Sequence, residues 1–274
     1  MEQSARWNGT AGNAWVDMQE LLDGMFKLFE KLLVEAVTEA GASRVLDIGC
    51  GTGGTTLAIA RALGADGNCT GVDISEPMIE AACARAVADG SPARFIRADA
   101  QTHHLEPASV DMIVSRFGVM FFDDPVAAFA NLHCAAEPNA ELRLIAWRSA
   151  DDNPFMTTAE RAATPLLPGM PAREPNAPGQ FAFGDADRVE GILRESGWAD
   201  MDLQPLDIVC TLPETELERY FTRLGLIAPM LREADDATRR RVISNVRAAF
   251  EPYVDGTKVR FTAACWMVSA RAAD

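Results

Sequence analysis

Positive charge is scarce in this chain. Its 274 residues include 25 Lys and Arg against 40 Asp and Glu, a formal net charge of −15. Such a surface repels polyanions, and phosphate contacts supply most nucleic-acid affinity. DNA, tRNA and rRNA therefore rank low as partners. The one basic cluster, Arg239-Arg240-Arg241, reads as an exposed helix face. Long apolar runs are also missing. No stretch approaches the roughly 18 residues of a membrane span, so none is expected. The opening segment MEQSARWNGTAGNAWV lacks the apolar core of a secretory leader. The six cysteines, at 50, 69, 83, 134, 210 and 265, never form a C-x-x-C pair. They read as reduced thiols of a cytoplasmic protein, and no metal is expected. Internal repeats are absent.

What is present is 48% hydrophobic residues, enough for one large domain with insertions or a domain plus a cap. Leu21, Leu22, Met25, Phe26, Leu28, Phe29, Leu32, Leu33 and Ala36 recur at helical spacing. They predict one long amphipathic helix over 14–40. Apolar runs and helical patterns then alternate. Strands are expected at Arg44–Ile48, Asn68–Asp73, 94–98, 110–117 and 142–147, with a helix over 53–63. Ser75 should cap a helix carrying Pro77 in its first turn, and Asp123 or Asp124 one carrying Pro125. This alternation implies a parallel sheet with helices on both faces. The Pro- and Gly-rich segment 149–184 reads as an insertion without strand–helix structure. A helix over 185–197, a strand over 202–212, two helical patterns over 214–251 and a strand over 259–270 follow. If that final strand runs antiparallel, both insertions sit over the carboxyl edge as a lid.

The most informative segment is 45–54, Val-Leu-Asp-Ile-Gly-Cys-Gly-Thr-Gly-Gly. It reads as a strand, a tight glycine turn and a helix N-terminus, where a ligand can lie against the main chain. Gly49, Gly51 and Gly54 satisfy the dinucleotide pattern G-x-G-x-x-G. Asp47 argues the other way, because its carboxylate repels a pyrophosphate and attracts an ammonium such as that of S-adenosylmethionine. A turn that binds nothing is the third reading. Asp73 and Asp99 fall at or near the ends of the next two strands. Ligands of such sheets bind outside the carboxyl ends, so three successive acids suggest a polar rim around one cleft. Each could instead cap a helix or a turn.

These residues resemble the class I S-adenosylmethionine-dependent methyltransferases, in particular the small-molecule branch of ubiquinone- and menaquinone-biosynthesis type. The resemblance lies in residues 45–53, in Gly71-Val72-Asp73-Ile74-Ser75 with Met78, in Ala98-Asp99-Ala100, and in 110–122 with Ser115-Arg116-Phe117-Gly118. It covers about 40–150, and Cys265-Trp266-Met267-Val268-Ser269-Ala270-Arg271 is similar to the family's terminal strand. It implies an α/β, Rossmann-like, doubly wound seven-stranded sheet with an antiparallel last strand, N-terminal helices and a helical/loop cap. Residues 1–43 would cover the cofactor site. Residues 44–274 would form the methyltransferase domain, with cap insertions at about 149–184 and 213–257.

The resemblance also implies S-adenosylmethionine as cofactor and S-adenosylhomocysteine as product. Gly49 and Gly51, with Asp47 nearby, would hold the methionine portion. Asp73 would accept from the ribose diol, and Ile74 and Met78 would flank the adenine. Asp99 would accept from its exocyclic amine, and Ala100 or Gln101 would contact the ring. Cys50, Gly53 and Ser115 complete the expected cofactor set. Asp99 and the long segment before the first strand favour the methyl donor over NAD. Trp7 and Trp15 could present their faces to the sulfonium or simply pack the N-terminal helix.

Methyl transfer is an in-line displacement that alignment and exclusion of water can accelerate. A base is needed only if the nucleophile arrives protonated. His103, His104 and Arg116 are the titratable candidates. Against them stand exposed loop histidines, and an ion pair of Arg116 with an acid such as Asp99 or Asp123. Phe117, Trp147 and Arg148 are expected beside the substrate. Phe117, Phe121, Phe122, Phe155, Phe181 and Phe183 suggest an apolar or aromatic acceptor, or belong to the core. No Asn-Pro-Pro-Tyr-like segment follows the fourth strand, which disfavours methylation of nucleobase amino groups or glutamine amides. The expected function is methyl transfer to O, N, C or S of a small molecule. The alternatives are a non-catalytic cofactor-binding regulator and an NAD-dependent oxidoreductase.

Overall fold

The computed structural model of the chain describes residues 2–174 and 176–273. Four helices come first: α1 (Glu2–Trp7), α2 (Thr10–Asp17), α3 (Gln19–Met25) and α4 (Lys27–Ala40). Next come β1 (Arg44–Ile48), α5 (Gly54–Leu63), β2 (Asn68–Asp73), α6 (Glu76–Asp89) and β3 (Arg94–Arg97). Then follow β4 (Val110–Arg116), α7 (Pro125–Ala135) and β5 (Ala136–Trp147). Helices α8 (Pro154–Ala163) and α9 (Ala186–Glu195) precede β6 (Trp198–Pro213). The chain closes with α10 (Leu217–Arg223), α11 (Ile227–Glu233), α12 (Asp236–Ala249), β7 (Val254–Asp255) and β8 (Lys258–Ala272).

The local causes are visible in the residues. The last four residues of β1 are buried, as in a strand covered on both faces. Pro77 enters the first turn of α6, and Pro125 that of α7. The Asp124 carboxylate accepts from Ala127 N at 3.0 Å, which makes Asp124 the cap of α7. The eight strands run β3-β2-β1-β4-β5-β8-β6, with β7 paired to β8. Strand β1 lies parallel between β2 and β4, placing Asp47 opposite Gly71 and Val114. The order reverses between β1 and β4, and a crevice opens at such a switch point. Strand β8 is antiparallel to both β5 and β6. The doubly wound sheet with a reversed last strand is therefore present. An eighth strand is added because Gly256-Thr257 turns Val254–Asp255 back onto β8.

Four expectations need correction. The helix over 14–40 is bent into three segments at Met18 and Phe26, which leave helical geometry at φ/ψ of −100°/7° and −105°/16°. Both residues are buried. Each bend turns the next segment so that its own apolar residues, Leu22 and Met25 and then Phe29, Leu33 and Val37, reach the core. Strand β5 begins at Ala136 rather than 142, because Glu137, Pro138 and Asn139 hide its start from a reading of apolar runs. The 149–184 insertion contains α8, with Pro154 in its first turn. The buried Asn153 side chain fastens α8 to the sheet. Its Nδ2 donates to Ala264 O at 2.9 Å, and its Oδ1 accepts from Ala264 N at 2.9 Å. The second cap segment holds three helices rather than two.

Candidate active site

The turns after β1 and β4 touch backbone to backbone. Gly49 sits at φ +65°, and a Cβ there would lie 2.5 Å from Gly118 Cα; one on Gly118 would lie 2.5 Å from Ile48 O. Only glycine fits at either position. Gly49 N and Cys50 N both donate to Val72 O. Ser115 Oγ donates to Ile48 O at 2.7 Å and accepts from Gly118 N at 3.2 Å. These bonds set the rim of a cavity of about 630 Å³ at the carboxyl ends of the strands.

Of the expected cofactor residues, Gly49, Gly51, Asp73, Ile74, Met78, Asp99, Ala100 and Gln101 line this one cavity. Asp47 and Cys50 border a smaller pocket of about 50 Å³ beside it. Gly49, Gly51, Arg116 and Phe117 border both. Gly53 and Ser115 line neither: Gly53 precedes α5 as its cap residue, and Ser115 braces the two turns. The Asp73 carboxylate accepts from Gly51 N at 2.8 Å and Ser75 N at 2.9 Å. Burial pushes its pKa up, and these backbone donors oppose the rise. Asp99 accepts from Gln101 N at 3.0 Å. The loop after it is held by Asn131, whose Nδ2 donates to Ala100 O and His103 O.

The small pocket is the most polar part of the site. Burial pushes the Asp47 carboxyl up to about 7, a rise opposed by Thr56 and Arg116 and increased by Asp73. Thr56 Oγ1 donates to Asp47 at 2.7 Å. The Thr55 hydroxyl, also on the pocket wall, is buried without a hydrogen-bond partner among the described residues. Asp23 of α3 faces the same space and accepts from Gln19 at 2.5 Å and Arg85 at 2.8 Å. Arg85 also donates to Thr52 O at 2.7 Å, tying α6 to the glycine turn. Arg116 pairs with Asp23 at 3.8 Å. Its ionic partner is therefore on the N-terminal helices and not Asp99 or Asp123. Carboxylates beside a guanidinium, with an unpartnered hydroxyl, suit a small zwitterion. Asp23, Gln19 and Arg85 escaped the sequence reading. Their only signal was a polar i, i+4 pair, Gln19 and Asp23, inside an apolar helix.

The histidine expectation is not met. His103 and His104 lie on the loop after β3 and line neither pocket. Their loop is drawn toward α7 by Asn131, and His104 is exposed. Arg148 is also outside the cavity, paired with Asp152 at 2.7 Å and Asp207 at 3.0 Å. Phe117 and Trp147 do line it, stacked at 4.8 Å with planes 18° apart. Phe117 adopts φ +66°, a strained conformation for a bulky residue of the kind that clusters at functional sites. Phe121, Phe122, Phe155 and Phe181 also face the cavity, whereas Phe183 belongs to the core. Trp7 and Trp15 line the cavity and pack edge to face at 6.1 Å. The packing of these tryptophans is thus seen directly, on the wall of the cavity. The Asn8 side chain staples this N-terminal cover to the β2–α6 loop, donating to Ile74 O at 3.1 Å and accepting from Glu76 N at 2.8 Å.

Comparison with known proteins agrees with this architecture. Residues 45–139 match the methyltransferase domain family. A demethylmenaquinone methyltransferase of Staphylococcus aureus is 28% identical over 112 residues, 41% of this chain and 46% of that one. The chain thus spans about half the length of the curated relatives it matches. Among solved structures, the YcgJ protein of Bacillus subtilis superposes with a TM-score of 0.58 at 17% identity, covering 89% of this chain and 98% of that one. Phosphoethanolamine N-methyltransferase 2 of Haemonchus contortus, solved with S-adenosylhomocysteine, gives 0.52 at 17% identity, covering 85% and 49%. The matched segment, the glycine turn after β1 and the reversed last strand together identify residues 45–139 as a methyltransferase domain within a fold similar to that of the S-adenosylmethionine-dependent methyltransferases.

Proposed function

We propose that the protein transfers the methyl group of S-adenosylmethionine to a small apolar or aromatic acceptor. One observation carries the reading: Asp73 and Asp99 line the large cavity, and Asp47 lines the polar pocket that shares Gly49, Gly51, Arg116 and Phe117 with it. Bound there, the cofactor supplies a methyl on a sulfonium. Asp47 and Asp23 would face its ammonium, with Arg116 and Thr55 near its carboxylate. Asp73 would take the ribose hydroxyls with its remaining lone pairs, while Ile74, Met78 and Asp99 hold the adenine. Residues 1–43 act as a cover and the two insertions as a cap. Phe117 and Trp147 shield the reacting centre from water. No histidine reaches the cavity, so alignment is assigned the main role in catalysis. The aromatic cavity wall supports an apolar acceptor, as does a relative named for demethylmenaquinone. Six unpaired cysteines support a cytoplasmic location. No helix among the described residues is long and apolar enough to cross a membrane.

A cofactor-binding regulator would need no room beyond the cofactor strip. The cavity here extends to Phe155 and Tyr220 in the cap, which favours the enzyme. Calorimetry on the purified chain tests the reading. Both S-adenosylmethionine and S-adenosylhomocysteine should bind, and NAD should not. Binding of NAD alone would reverse the assignment. Incubation with labelled methyl donor and a cell extract then identifies the acceptor by its label.

A further inference from the structure

Beyond the strand ends the cavity runs into the cap, and its far wall is aromatic. Phe155, at the start of α8, stacks on Phe261 of β8 with centroids 3.9 Å apart and planes at 2°. It meets Tyr220 at 5.8 Å and Phe250 at 5.1 Å. Phe155, Tyr220, Phe221 and Phe250 all line the cavity. Rings held in such a cluster offer fixed, flat apolar surface to a planar ligand.

Polar groups on this wall are few. Among the residues of α8 and α10 that line the cavity, only Glu160 and Tyr220 are polar. Glu160 is occupied by Arg173, which donates to it through Nε at 2.9 Å and Nη2 at 2.5 Å. Tyr220 is in a different position. The only hydrogen-bond partner of its hydroxyl among the described residues is Met156 Sδ at 3.3 Å. A thioether is a weak acceptor, and Tyr220 is partly buried on the cavity wall with no stronger acceptor among the described residues. Burial raises the phenol's pKa, and Cys210 and Glu160 add to the rise. The phenol is thereby held in its neutral form, with an O–H to donate.

We propose that Tyr220 is the polar contact of the acceptor chamber: its O–H donates to an oxygen carried by a planar aromatic acceptor, and so selects oxygenated rings over hydrocarbon ones. The assignment rests on the cavity being the acceptor chamber of a methyltransferase. It adds a substrate class and a specificity-determining residue to that reading.

The test titrates the full chain and Tyr220→Phe with 2-naphthol and 2-methylnaphthalene, with and without saturating S-adenosylhomocysteine. Loss of one hydrogen bond corresponds to about a tenfold change in affinity. The wild type should bind 2-naphthol about tenfold more tightly than 2-methylnaphthalene. In Tyr220→Phe that preference should vanish, while affinity for 2-methylnaphthalene and for S-adenosylhomocysteine stays unchanged. A wild type without the preference, or a variant that keeps it, overturns the proposal. A second measurement needs no variant. 2-Methoxynaphthalene, whose oxygen accepts but cannot donate, should bind the wild type like 2-naphthol; binding like 2-methylnaphthalene overturns the donor role. S-adenosylhomocysteine affinity is read separately. Its absence with the ring preference intact would remove the cofactor assignment and leave the Tyr220 contact standing.

Discussion

Asp47 is a residue whose charge state a bound ammonium would change. Burial pushes its carboxyl up from the ordinary 3.8 to about 7. Between those two values the folded chain binds more protons than the unfolded one, so this residue lowers stability as pH rises from about 4 to 7 and adds no further change above. An ammonium placed beside it would restore the carboxylate. S-adenosylhomocysteine binding at about pH 6.5 should therefore release a proton, and affinity should climb with pH until about 7 and then level off. Calorimetry in two buffers of different ionisation enthalpy measures the released proton; in Asp47→Asn it should disappear. Asp73 acts differently. Its carboxylate organises Gly51 and Ser75. Asp73→Ala should weaken S-adenosylhomocysteine binding by about tenfold or more and cost about 1–3 kcal/mol of stability, with native circular dichroism retained. Unchanged affinity would remove the ribose role.

Among the elements, the first four helices matter most to the site. They contribute Trp7, Trp15, Leu22, Met25 and Phe26 to the cavity wall, and Asp23 to the polar pocket. Their apolar residues pack into the core, and polar bonds add local ties to the β2–α6 loop. Besides the Asn8 staple, Ser75 Oγ donates to Trp7 O at 2.7 Å. Asn8→Ala removes the two bonds to the β2–α6 loop. It should reduce cofactor affinity on the order of tenfold, and speed limited proteolysis within residues 2–17 while the sheet remains protected. Cleavage as slow as in the wild type would show that aromatic packing alone holds the cover. These elements also mark where sequence reading stopped. The strands ending at Ile48 and Asp73 were legible because one closes on a glycine turn and the other on an Asp just ahead of a helix cap with Pro77. The bends at Met18 and Phe26 were not. An uninterrupted helical period says nothing about the curvature of the surface it will cover. Helix α8 was hidden by the prolines of its surrounding segment, although Pro154 itself stands where proline is tolerated.

At the level of the whole molecule, the cavity exists only when three separate parts meet. Strand ends, N-terminal helices and cap each supply one wall. The cap is pinned by Asn153 on Ala264 and by Gly179 N donating to Met120 O at 2.9 Å. A ligand that needs all three walls binds the folded chain alone, so saturation should stabilise the entire unit. At about 100 times Kd the gain is roughly 2.7 kcal/mol, a rise in Tm of about 5–11 °C for a chain of this size. Scanning fluorimetry with S-adenosylhomocysteine should show a single shifted transition, and NAD should leave Tm where it was. Two transitions, only one of them shifted, would mean that the cap folds apart from the sheet.

The sequence alone determined the strand–turn–helix unit at 45–54, the acids at successive strand ends and a net charge of −15 that ranks polyanionic partners low. Each of these depends on neighbouring residues or on summed charge, which a linear reading contains. The tertiary structure decided everything that joins distant segments. It carried His103, His104 and Arg148 away from the cavity and gave Arg116 to Asp23. It also brought Tyr220 into the cap wall with Phe155, 65 positions earlier in the chain, at 5.8 Å. Backbone turns are settled by short-range sterics, but a pocket is settled by which faces pack, and that follows from burying the whole apolar surface at once.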